Sequence, residues 1–133
     1  MAMSSHAPLN YLQVFNDQFM NMVKDLAKVY PADADFRSFP TAIRGLLLAN
    51  DKLVVNIFHN TVVGRYRDEI MKRDDAFFLT KSYEEYAQPG SAEAAADIVS
   101  KLKGCWHSLN GDNREIIWKY LHLLIALDDK LHA

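Results

Sequence analysis

The last stretch of the chain, Asn113 to Leu131 (NREIIWKYLHLLIALDDKL), constrains the fold more than any other. Ile116, Ile117, Trp118, Tyr120, Leu121, Leu123, Leu124, Ile125, Leu127 and Leu131 occupy most of the circumference of a helix at 3.6 residues per turn. A helix that is apolar nearly all round is buried by several neighbours at once. This stretch is therefore expected to be the central post of an all-α, single-domain bundle of about five main helices. The expected organisation is a flexible leader over residues 1–8 and a helical bundle domain over residues 9–133.

The preceding segments supply helices to lean on that post. From Leu9 to Tyr30, the residues Leu12, Phe15, Phe19, Val23, Leu26 and Tyr30 recur at helical spacing, Pro8 can open the helix, and Pro31 stops it. Asp33 to Asp35 is an acidic opening to a second helix carrying Phe36, Phe39 and Ile43, with Pro40 as either its start or a kink. Asp51 is a candidate N-cap for a third helix from Lys52 to about Val63, ended by Gly64. A short fourth helix over 65–72 would be anchored by Tyr66 and Ile70. Beyond the loop Gln88-Pro89-Gly90-Ser91, a fifth helix would bury Leu102, Trp106 and Leu109. Asp112 to Glu115 has the spacing of a capping box for the post. No run alternates with period two for long enough to make a strand.

Half of the 133 residues are hydrophobic, enough for one core without disulfides or metals. Residues 1–66 carry 6 Lys/Arg against 5 Asp/Glu, and residues 67–133 carry 9 against 12. Neither half has the basic excess that phosphate binding requires. A single cysteine, Cys105, precludes an intramolecular disulfide. The N-terminal residues show no secretory signal, and the apolar run Ile116–Leu127 falls short of the ~20 residues of a membrane span. A soluble protein of a reducing compartment is expected.

Few residues invite chemistry. Cys105 and His107 are two apart on a helix, so they point roughly 200° away from each other and form no local dyad. His6, His59, His107, His122 and His132 fall into no metal-ligand spacing, so no metal or other cofactor is expected; His122, on the post, is a candidate for a buried hydrogen bond. A calcium loop begun at Asp33 fails at Ser38 and Arg44, where glycine and glutamate are needed. Asp128-Asp129 stands at the helix end where the dipole disfavours it, and is offset either by Lys130 or by a basic partner. A nucleic-acid face is conceivable on Lys52, Asn56, His59, Asn60, Arg65 and Arg67, whose types read bases or touch phosphates. The aromatic cluster Phe77, Phe78, Tyr83 and Tyr86 either plugs the bundle or anchors another protein.

Three stretches carry a family resemblance: Phe15 through Phe19 and Leu26 to Tyr30-Pro31, Asp33 and Asp35-Phe36; Asp75-x-Phe77-Phe78-Leu79 with Tyr83; and Glu115-Ile116-Ile117-Trp118-Lys119-Tyr120-Leu121. Over residues 12–128 the chain resembles small helical proteins encoded by nucleocytoplasmic large DNA viruses of algae and protists. The resemblance implies a viral origin, in the host-cell cytoplasm or the virion, and brings no catalytic residue with it.

The expected function is therefore that of a non-enzymatic structural or protein-interaction protein, virion-associated or host-binding. Its partners would be other viral or host proteins, a second copy among them, without membrane insertion. The alternatives are a nucleic-acid-associated protein using the Lys52–Arg67 face, and a decoy bundle that grips an amphipathic helix as apoptosis regulators do.

Overall fold

The computed structural model describes residues 10–73, 101–102 and 105–132, with Arg65 described by its backbone alone. The fold is all-α. Helix α1 spans Tyr11–Val29, α2 Ala34–Ala49, α3 Leu53–Ile57, α4 Gly64–Met71 and α5 Gly111–Leu131, with a π-helical stretch at Phe58–Val63 and a 3₁₀ turn at Trp106–Ser108. Among the described residues no helix is long and apolar enough to cross a membrane.

Helix α1 forms where its stripe predicts, with Phe15, Phe19, Met22, Val23 and Leu26 buried. Asn10 caps it by accepting the Gln13 N–H at 3.0 Å. Its end is held by Tyr30, which stacks on Phe36 with ring centroids 4.8 Å apart.

Helix α2 resolves the role of Pro40, which lies inside the helix and does not start it. The carboxylate of Asp33 caps α2 by accepting the Asp35 and Phe36 N–H groups at 2.9 and 3.2 Å. Proline removes the hydrogen bond to the carbonyl four residues back, that of Phe36. Burial of Phe36, Phe39 and Ile43 on one face offsets that loss.

Three boundaries differ from the sequence expectation. Gly64 does not end a helix: its φ and ψ of −62° and −29° are helical, and its N–H continues the chain of bonds by donating to His59 O. The reason is the π stretch, which takes up an extra residue and lets one continuous helical run pass from α3 into α4. Asp51 is not the cap of α3. Asn50 organises that turn, its side chain accepting the Lys52 N–H at 2.9 Å. Asn110, not Asp112, likewise caps α5, by accepting the Asn113 N–H at 2.8 Å. In both turns the asparagine precedes the acidic residue, and its amide oxygen reaches the backbone first.

Helix α5 packs chiefly on α1, and α1 also packs on α2. Phe15 and Phe19 stack at 6.0 Å, and both meet Phe58 edge-on, at 5.4 and 6.2 Å. Trp106 meets Trp118 edge-on at 5.2 Å, and the Arg114 guanidinium lies over Trp106 while donating to its carbonyl at 3.0 and 3.2 Å. The post is not covered all round: Ile117, Trp118, Leu121, Leu124, Ile125, Leu127 and Asp128 are buried, whereas Ile116 and Leu123 are exposed. The predicted aromatic cluster at Phe77, Phe78, Tyr83 and Tyr86 lies outside the described residues, as do the 1–8 leader and the start of the 91–109 helix.

Candidate functional site

Helix α5 presents two different surfaces. Toward its N-terminal half, the seam with α1 leaves two adjoining depressions of about 300 and 250 Å³. Ile116 lines both; Leu26, Val29, Leu109 and Ile117 complete one, and Tyr120 and Leu123 the other. Ile116 is 44 % and Leu123 41 % exposed, at the open edge of the seam between α1 and α5. Together they form a shallow apolar groove rimmed by Gln18, Lys28, Asn113 and Lys119. Its wall is fixed by Tyr120, whose hydroxyl donates to Asp25 Oδ2 at 2.5 Å. Burial, reinforced by that hydrogen bond to an anion, pushes the Tyr120 hydroxyl up to about 12.

At the other end of α5 the surface is polar and paired. The Asp128 side chain is fully buried, with His59 Nδ1 donating to its Oδ2 at 2.7 Å. His132, one turn on, places Nδ1 2.9 Å from Asp128 Oδ1 and 3.0 Å from the Asp128 carbonyl. The His59 and His132 rings stack, centroids 3.9 Å apart and 12° from parallel. Beside them the Arg67 guanidinium donates both N–H arms to Asp129 at 2.7 and 2.8 Å. That bond holds the Asp129 carboxyl below its usual range.

The π stretch makes this convergence possible. In a straight α-helix, eight residues would set His59 and Arg67 about 80° apart. One extra residue in the π turn brings both round to face Asp128 and Asp129.

The chain matches no protein-family model, no curated protein and no solved structure.

The residues read as a nucleic-acid face divide into two sets. Lys52, Asn56 and Asn60 are exposed, but His59 and Arg67 turn toward the carboxylates of the same chain. Arg65 lies in α4 between them. Asp128 pairs with His59 and Asp129 with Arg67 within the chain, residues that neither sequence expectation for this pair, Lys130 or a basic partner, names. His122 makes the hydrogen bond suggested for it, Nε2 donating to Ile70 O at 2.8 Å. Cys105 is mostly enclosed near the 3₁₀ turn, and burial pushes its thiol up. His107, two residues on, is exposed.

Sequence spacing missed the meeting of His59, Asp128 and His132. Only the Asp128/His132 pair, four apart on a helix, leaves a local trace.

Proposed function

We propose that this chain is a non-enzymatic helical interaction protein that receives an amphipathic helix of another protein in the α1/α5 groove. The observation that supports it is the exposed pair Ile116 and Leu123, one apolar stripe beside a formed depression on the last helix. Seven residues separate them, about two helical turns, which matches the anchor spacing of a helix laid in a groove. Charge selects the partner. Lys28 and Lys119 flank the groove, while the one carboxylate in its wall among the described residues, Asp25, is engaged by Tyr120. A ligand helix with an apolar ridge and acidic flanks complements this rim.

The same rim argues against a second copy as the occupant. Two-fold pairing along the Ile116–Leu123 stripe would bring Lys119, near its centre, close to its own symmetry mate. The resemblance to proteins of large DNA viruses extends the proposal to a virion-associated or host-binding role.

Fluorescence anisotropy with three labelled amphipathic peptides, identical in apolar ridge and differing in acidic, neutral or basic flanks, tests the reading. The acidic peptide is expected to bind most tightly, and both Leu123→Asp and Lys119→Glu to weaken it. Equal binding of all three, or none, would contradict it.

A further inference from the structure

We infer that His59, Asp128 and His132 form a binding site for a divalent transition-metal ion of the zinc class. Two imidazole nitrogens and a carboxylate oxygen lie within 4.8 Å of one another, drawn from two separate elements, the π stretch and the end of α5. Two histidines and one carboxylate are a ligand set that zinc and its neighbours in the first transition row use, with fourth and further positions left to water or another group.

A second observation points to a ligand independently of the residue types. Asp128 Oδ1 is buried and accepts no hydrogen bond, although its sister oxygen is bonded to His59. The neighbouring His132 Nδ1 lies only 2.9 Å from Oδ1, yet its hydrogen bond runs to the Asp128 main-chain carbonyl. A carboxylate oxygen removed from water without a donor is costly. A cation between the carboxylate and the imidazoles offsets that cost directly.

Access and adjustment are both present. The side chains of His59 and His132 are 38 % and 31 % exposed, so the cluster opens to solvent on the imidazole side and is closed on the carboxylate side. An imidazole donates its lone pair in the ring plane, so two rings stacked face to face cannot both aim at one ion. Binding therefore unstacks them. His132 stands at the C-cap of α5, past the last residue of the helix. On ligation the Nδ1 proton of each neutral imidazole moves to Nε2 through solvent; an imidazolium releases one proton. Arg67 and Asp129, the charged pair alongside, neutralise each other and leave the Asp128 carboxylate as the anion the ion meets.

The test uses the full chain, stripped with a chelator and titrated with Zn²⁺ and, separately, Co²⁺. One ion per chain is expected, with Co²⁺ showing the visible absorption of a four- or five-coordinate ion. Affinity should fall as pH drops, since histidine ligates only when neutral. The unfolding midpoint should rise by about 5–10 °C at a hundredfold excess over Kd. Mg²⁺ and Ca²⁺, which demand oxygen ligands, should leave it unmoved. His132→Gln and His59→Gln, both at half-exposed positions, should weaken Zn²⁺ by at least the roughly 10–100-fold that even outer-shell changes cost. Asp128→Asn is the third variant, read only if its circular dichroism is native. Failure to bind one ion, or binding left intact by both histidine variants (the ion then sits on other histidines), would overturn the assignment.

Discussion

The two ends of α5 are held by opposite means. Around Trp118 the helix is fixed by apolar burial: Trp106, Ile117, Leu121 and the α1 stripe close on it. Around Asp128 it is fixed by polar groups that come from far away in the chain, His59 and Arg67, through a few short hydrogen bonds. Burial is non-directional and grows with area, so the first end tolerates small shifts and carries most of the stability. The polar end depends on direction and on each partner being present. The difference predicts which changes unfold the protein and which alter only what it binds.

The largest effect is expected at the apolar end. Trp118→Ala should cost about 3–5 kcal/mol in urea unfolding, as for other buried aromatic residues cut to alanine. Asp128→Ala should cost less, about 1–3 kcal/mol, because it leaves two imidazoles that still reach water. A loss at Asp128 equal to that at Trp118 would erase the contrast.

Tyr120 lies between the two regimes, partly buried and bonded to a carboxylate. Tyr120→Phe should cost about 1 kcal/mol at neutral pH. Because the folded state raises this hydroxyl from 10.0 to about 12, its contribution is complete below the ordinary tyrosine value and disappears as pH rises through the folded one. Wild type should thus lose stability relative to Tyr120→Phe between pH 10.0 and about 12, measured by urea unfolding at each pH.

The smallest effect belongs to the Arg67–Asp129 pair, both of whose side chains are more than a third exposed. A double-mutant cycle on alanine variants should give about 0.2–1 kcal/mol, shrinking as salt rises. The Asp129 carboxyl is held low in the folded state, so this contribution is present above the ordinary carboxylate range and is lost as pH falls through the folded value.

The same contrast governs how much of the molecule the sequence reveals. Phe15, Phe19, Val23 and Leu26 of the α1 stripe, Tyr66 and Ile70 in α4, and Leu102, Trp106 and Leu109 lie buried as their spacing indicates, because periodicity is a local signal, while Leu12 and Tyr30 at the ends of the stripe are partly buried. Helix ends are less legible. Asn50 and Asn110 compete with the acidic residues that follow them, and the outcome rests on turn geometry. The groove is half legible: apolar residues all round α5 suggest full burial, and only tertiary packing decides that Ile116 and Leu123 stay open. The His59–Asp128–His132 cluster was not legible. His59 and Asp128 are 69 residues apart, and their approach depends on a π turn that no spacing rule marks.

Light scattering over a concentration series, on wild type and Leu123→Asp with and without the acidic amphipathic peptide, tests the central claim most directly. A monomer that takes up one peptide, and a variant that stays monomeric but takes up none, is the predicted result. A wild-type oligomer that Leu123→Asp dissolves would contradict it, showing that the groove is already covered by a second copy of the chain.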